Sequence, residues 1–383
     1  MEVNGSASGD TPLLINVQLT GITMTQQVFF PATVLRGAGA SQQLGKTCAR
    51  LGARVLVVGG HRALAATESL IREQLQQAGV TLAGLEWTGE QCSISQIERL
   101  CGRVRDTDSD VLLAVGGGKA LDTGKAVAYQ AGIPVVTLPT IAATCAAVTP
   151  LSVRYHDDGH FHDLYLLPVA PAAVVIDSAL LARAPLRWLA AGLGDTLAKW
   201  YEFRAIDTGR SDNGFASSSR ANSEICFQLI QRYGAQACQT VAAGESNAAL
   251  EQVLDAIFLF AGLTSLMASG AHAAAAHALY EGFTVCDKTR EFGHGLLVGF
   301  GNLCLLALEQ RSDAELLEAI RLADACAVPL TLAEICPDLS DDELNAIVSA
   351  SVKAPDMANL PFAVTDADVH RAIRRVEALA AQR

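Results

Sequence analysis

At 383 residues the chain is long for a single hydrophobic core and suits two domains. Half of its residues are apolar and 18% are charged, which predicts a soluble, well-packed globule. A formal charge of −12 and a pI near 5.1 argue against a nucleic-acid partner or an anionic membrane surface, and no run approaches the roughly eighteen uncharged apolar residues of a spanning helix.

Residues 1–25 show little pattern and read as a flexible, polar extension, with Met24 as an alternative start; nothing there resembles a signal peptide. From Gln27 the apolar pairs Val28-Phe29-Phe30 and Thr33-Val34-Leu35 read as short strands, and Ser41 is placed to cap a helix running to Leu51. Arg54-Val55-Leu56-Val57-Val58-Gly59-Gly60 reads as a buried strand closed by a glycine turn. A helix over 63–78, a strand near 82–85 and a helix over 93–104 follow. Next come the buried strand Val111-Leu112-Leu113-Ala114-Val115, the turn Gly116-Gly117-Gly118, and a helix ending near Gly132. Residues 133–139 read as another strand, and 151–177 as strand-rich. After Ala182 the strand signals stop and helical periodicity runs to the end.

This order predicts an α/β dinucleotide-binding domain over 26–182, built on a parallel sheet, and an all-α domain over 183–383. Consecutive glycines at 116, 117 and 118 let backbone approach an anion closely, and the helix that follows offers unpaired N–H groups. A nucleotide pyrophosphate suits such a turn, as does a purely structural strand-to-helix bend. The ten cysteines are scattered without a C-x-x-C pair, as expected of a reduced, cytoplasmic protein.

In the helical half, Asp195 lies in Gly194-Asp195-Thr196-Leu197-Ala198-Lys199-Trp200-Tyr201-Glu202, His277 among small residues, and His294 between Gly293 and Gly295. One carboxylate and two imidazoles suit a catalytic Zn²⁺ or Fe²⁺ site; the plainer alternatives are a helix N-cap at Asp195 and two satisfied core histidines. His156, His160 and His162 around Asp157-Asp158-Gly159 read as a solvated hairpin tip, and His272 as a packing residue.

Four ordered segments carry a resemblance: Gly116-Gly117-Gly118-Lys119 with Asp122-Thr123 and Lys125; Pro139-Thr140-Ile141-Ala142-Ala143-Thr144; 194–202; and Ala276-His277-Ala278 with His294-Gly295. On these the chain resembles the metal-dependent (iron-type) alcohol dehydrogenase superfamily, in its glycerol dehydrogenase branch, and is most similar there to the hydroxycarboxylate dehydrogenase subgroup. The resemblance implies a dehydroquinate synthase-like fold with a cleft between its halves. It implies a metal on Asp195, His277 and His294, cofactor phosphates and ribose at Gly116, Gly117, Gly118 and Asp122, and the nicotinamide along Thr140 and Thr144.

Departures from the family refine the expectation. Cys145 stands where glycerol dehydrogenases carry an aspartate, which weakens the case for glycerol, and Tyr280-Glu281 replace a histidine–asparagine pair, with packing favoured for Tyr280. NAD-preferring relatives end the first strand with an aspartate; here Gly60 stands there, and Arg62 follows, which points to NADP(H) over NAD(H). Lys199 shares the helix face of Asp195 and is a candidate to orient a substrate carboxylate. The expected activity is therefore reversible reduction of small 2-oxo acids to 2-hydroxy acids by a homo-oligomer acting on small molecules. A glycerol or polyol dehydrogenase is the first alternative, a lyase of the dehydroquinate synthase type the next, and a non-catalytic nucleotide-binding protein the alternative of a different class.

Overall fold

A computed structural model describes residues 27–206, 214–268 and 272–383, so the extension expected at 1–25 lies outside the described residues. The strands are β1 (Thr33–Arg36), β2 (Arg54–Gly59), β3 (Thr81–Trp87), β4 (Val111–Gly116), β5 (Val135–Pro139), β6 (Leu151–Tyr155), β7 (Phe161–Leu166) and β8 (Ala173–Ile176). All but β6 and β7 form one parallel sheet in the order β1-β8-β5-β4-β2-β3, while β6 and β7 pair as an antiparallel hairpin. Helices α1 (Leu44–Ala49), α2 (His61–Gln77), α3 (Ile94–Asp106) and α4 (Gly118–Ala131) connect the strands. The expected strand at 28–30 does not form; those residues precede β1 without joining the sheet.

Strand residues alternate between two cores. Val55, Val57, Leu113, Val115 and Val175 pack with Leu44, Ile71 and Leu75 of α1 and α2. Their neighbours Leu56, Val58, Leu112, Ala114 and Val174 belong to a core that takes in α3 and α4 and continues through the helical half to Leu379. Both faces of the sheet are thus covered, which is why its strands read as unbroken apolar runs.

After the short α5 (Ser178–Leu181), helices take over. They are α6 (Leu186–Ile206), α7 (Gly214–Ala242), α8 (Ala248–Leu254), a π-helical turn (Asp255–Phe260), α9 (Ala261–Met267), α10 (Ala275–Phe283), α11 (Asp287–Arg290), α12 (His294–Leu308), α13 (Asp313–Ala325), α14 (Leu332–Ile335), α15 (Asp341–Lys353) and α16 (Asp366–Ala380). The stretch Ala248–Met267 is long and apolar enough to cross a membrane by length and composition; it contains Glu251 and Asp255 and is half buried. Those two acids reach the sheet edge: Asp255 binds the Arg36 guanidinium, and Glu251 Oε1 accepts from Ala38 N and Ser178 Oγ.

Ser41 does not cap a helix. It lies within a 3₁₀ turn (Ala40–Gln43), and its hydroxyl donates to Asp177, whose carboxylate also accepts from the amides of Gly39, Ser41, Ala179 and Leu180. One buried aspartate at the end of β8 therefore caps α5 and ties down the turn after β1.

Candidate active site

The sheet's connections run from β2 outward to β3 and then back across to β4, so strand order reverses between β2 and β4. Ligands of open α/β sheets bind in the crevice beyond the carboxyl ends at such a point. Both glycine turns lie there, and an added Cβ on Gly116 would meet Ala120 Cβ at 2.8 Å and Gly60 N at 3.8 Å. Gly116 also has φ +146°, a conformation costly for other residues. A Cβ on Gly117 would meet Ile141 Cδ1 at 2.5 Å, and one on Gly118 would meet Thr144 Oγ1 at 3.4 Å. The turn is therefore walled by the 140–144 loop, where Thr140 N donates to Gly116 O and Thr144 Oγ1 accepts from Ala146 N.

Gly60 is the N-cap of α2 with open space around its missing side chain, and Arg62 is exposed on the first turn with no ion pair among the described residues. Asp122 lies one turn into α4 and is buried, its carboxylate 2.9 Å from Lys125 Nζ and accepting from Val153 N. Its observed partners are thus within the protein, linking α4 to the β6–β7 hairpin.

Asp195 is not a helix N-cap, since it lies in the middle of α6 and is buried. Its Oδ1 is 3.6 Å from His277 Nε2 and 3.5 Å from His294 Nε2, and it has no hydrogen-bond donor. One ligand atom from each of these residues lies within 4.8 Å of the others. A buried, unpartnered carboxylate oxygen facing two imidazole nitrogens is the donor set a divalent ion requires, so the residues present fit a metal.

Glycines make this convergence possible. A Cβ on Gly194 would meet Gly295 O at 2.3 Å, and one on Gly295 would meet Ala191 O at 2.0 Å, so α6 and α12 cross with backbones in contact. Gly293 has φ +124°, which turns the chain into α12 so that His294 opens the helix.

The spacing of α6 places Asp195, Lys199 and Glu202 on one stripe. Glu202 closes the 194–202 segment, and nothing in the sequence assigns it a role. It is fully buried, accepts from the amides of Ala274 and His277 at 2.7 and 3.0 Å, and binds His277 Nδ1 at 2.6 Å. Holding Nδ1 in this way leaves Nε2 directed at Asp195, the arrangement by which carboxylates orient metal-binding histidines. Burial disfavours the His277 imidazolium, but the Glu202 and Asp195 carboxylates outweigh it and raise the ring to about 10. Burial likewise pushes the Asp195 carboxyl up, and the Lys199 charge with the two imidazoles overcomes it, leaving the group well below the usual range.

Tyr280 packs as expected, edge-on to His294 with centroids 4.2 Å apart, and burial pushes its hydroxyl up. Cys145 is half-buried; burial drives its thiol up against the opposing charge of Lys199, so it stays neutral. His156, His160 and His162 stand at the β6–β7 hairpin tip apart from this cluster, and no metal-binding group forms there among the described residues.

Residues 31–178 match the model of the family described as iron-containing alcohol dehydrogenase. A glycerol dehydrogenase from Pseudomonas putida is 36% identical over 358 residues, covering 91% of this chain and 96% of its own. Hydroxycarboxylate dehydrogenase A from Escherichia coli (strain K12) is 32% identical over 296 residues, covering 76% and 81%. The crystal structure of a probable glycerol dehydrogenase from Sinorhizobium meliloti 1021 superposes with a TM-score of 0.80 at 32% identity, covering 94% of this chain and 100% of that one. The glycerol dehydrogenase match is longer and more identical than the hydroxycarboxylate one, which reverses the order expected from Cys145.

Proposed function

We infer the reaction of this chain, which belongs to the iron-containing alcohol dehydrogenase family and within it to the glycerol dehydrogenase branch, from the three converging ligands of its helical half and the glycine turn at the end of β4. It is an NAD(P)-dependent dehydrogenase acting on a CH–OH group of a small molecule. Its proposed substrates are glycerol-like vicinal diols and the hydroxycarbonyls they become. The observation that carries the reading is the buried, unpartnered Asp195 Oδ1 facing His277 Nε2 and His294 Nε2.

Residues 183–383 would form the metal- and substrate-binding unit and 26–182 the cofactor-binding unit of a cytoplasmic homo-oligomer. A divalent ion, zinc or iron, would be held by Asp195, His277 and His294 and would supply Lewis-acid polarisation of the substrate oxygen, while a nicotinamide would exchange hydride with the adjacent carbon. Glu202 keeps His277 in the tautomer and orientation that present Nε2. Gly116, Gly117 and Gly118 admit the pyrophosphate to the N-terminus of α4, with Thr140 and Thr144 further along the cofactor, while Asp122 braces α4 against the β6–β7 hairpin. The open space at Gly60 and the exposed Arg62, without an ion pair among the described residues, suit a ribose 2′-phosphate, which supports NADP(H) over NAD(H).

A second reading, reduction of 2-oxo acids, is favoured by one local feature: the buried ammonium of Lys199 stands 4.0 Å from Asp195 Oδ1.

The test is oxidation of NADPH and of NADH with dihydroxyacetone or 2-oxobutanoate, on wild type and Asp195→Ala, with metal content measured on the same preparations. Metal-dependent reduction of dihydroxyacetone, faster with NADPH and lost together with the bound metal in Asp195→Ala, is expected. Undiminished turnover or full metal content in Asp195→Ala would overturn the assignment of the site.

A further inference from the structure

We propose that Lys199 is a specificity-determining residue of this site, its ammonium holding the carboxylate of a 2-oxo or 2-hydroxy acid next to the reacting carbon. The proposal deepens the second reading above and rests on it. Lys199 lies one turn past Asp195 on α6, with its side chain only 8% exposed. Its Nζ is 4.0 Å from Asp195 Oδ1, beyond hydrogen-bonding distance, and has no hydrogen-bond acceptor among the described residues. An ammonium carries three donors, and burying it without acceptors is costly.

The chain's other deeply buried lysine shows what a structural one looks like. Lys125 Nζ donates to the carbonyls of Ala146 at 2.7 Å, Thr149 at 2.9 Å and Leu151, and pairs with Asp122. Lys199 has no such set. Its donors remain available at a site where small molecules would bind.

The charges nearest the ammonium favour an anionic ligand over a neutral one once a metal is bound. Asp195 is the one carboxylate within 4.0 Å of Nζ among the described residues, and the oxygen concerned is the one that faces both imidazoles. When that oxygen serves a divalent ion, Lys199 becomes a buried cation next to another cation. Glu202 is committed to His277, and the neutral Cys145 thiol supplies no charge. A substrate carboxylate removes this imbalance and accepts the free N–H groups, whereas a polyol brings acceptors but no charge.

The experiment is calorimetric titration of oxamate, an unreactive 2-oxo acid mimic, into zinc-loaded protein saturated with NADPH, for wild type, Lys199→Met and Lys199→Thr, with zinc content verified. One charge-assisted contact corresponds to about a 10- to 100-fold change in affinity. We expect oxamate to bind that much more weakly to both variants, and kcat/KM for 2-oxobutanoate to fall by a similar factor relative to dihydroxyacetone, mainly through KM. If wild type and variants bind oxamate equally, Lys199 is not the anchor, although the 2-oxo acid reading survives. If both variants lose zinc, Lys199 serves the metal site instead, and the proposal fails. A wild type that reduces dihydroxyacetone but neither binds oxamate nor reduces 2-oxobutanoate overturns the second reading and the anchor together.

Discussion

At the scale of single residues, Glu202 shows where the site's precision comes from. Both of its oxygens are engaged, one by two backbone amides and the other by the His277 ring. Replacing it with glutamine keeps the size but presents an amide, which either donates toward an N–H or forces the imidazole into the other tautomer. Partners of this kind typically change metal affinity by about 10- to 100-fold when removed. Glu202→Gln is therefore expected to bind zinc about 10- to 100-fold more weakly in competition with a chromogenic chelator, while its far-UV circular dichroism stays native. Wild-type affinity would show that the carboxylate does not orient the ligand. The spacing 195, 199, 202 was legible as one helix face, because period alone fixes it. What Glu202 does was not, because its partner lies 75 residues away and only the crossing of α6 and α10 brings them together.

At the scale of elements, the strand–glycine–helix units at β2–α2 and β4–α4 were readable because apolar runs and glycine turns are local signals. Misreadings arose where a tertiary partner overrode the local one. Asp195 is a good N-cap type but sits inside α6, since the glycines at 192 and 194 form interhelical contacts rather than a break. Ser41 gave its hydroxyl to Asp177 across 136 residues. Asp177 is buried, and its carboxyl lies below the ordinary value: burial raises it, but the Ser41 hydroxyl and the amides of Ser41, Gly39 and Leu180 lower it further. A group with a depressed folded-state pKa contributes stability above its unfolded value, near 4, and loses it as pH falls toward the folded one. Asp177→Asn should cost about 2 to 3 kcal/mol at pH 7, the scale of a lost charged hydrogen-bond set. The gap to wild type should begin to narrow below about pH 4, where the carboxyl of the unfolded wild-type chain takes up its proton, and should close at lower pH, where the folded one does. Urea denaturation of both proteins at pH 7 and pH 3.5 checks this; a gap that does not narrow would mean the charge is not what stabilises the turn.

At the scale of the whole molecule, the ligands and the glycine turn belong to different halves of the chain, yet one apolar core joins them. Asp195, His277 and His294 come from α6, α10 and α12, whereas Gly116, Gly117 and Gly118 close β4 and open α4. The core that begins under the sheet at Leu56 and Leu112 continues without interruption through Leu193, Phe258 and Leu303 to Leu379. A composition break near Ala182 therefore marks a change of secondary structure without a break in packing. Ligands that bind only the folded state stabilise whatever unfolds together with their site, by about 2.7 kcal/mol at a hundredfold excess over Kd. If the two halves share their stability through this core, removing the metal should lower a single melting transition as a unit, by a few degrees at this magnitude. If they melt separately, chelation should shift only a transition belonging to the helical half. Differential scanning calorimetry with zinc, and again after chelation, distinguishes the two, and Asp195→Asn should be insensitive to the chelator. We expect one transition that moves whole. Two transitions, only one of them metal-sensitive, would show that the shared core does not couple the cofactor turn to the metal ligands.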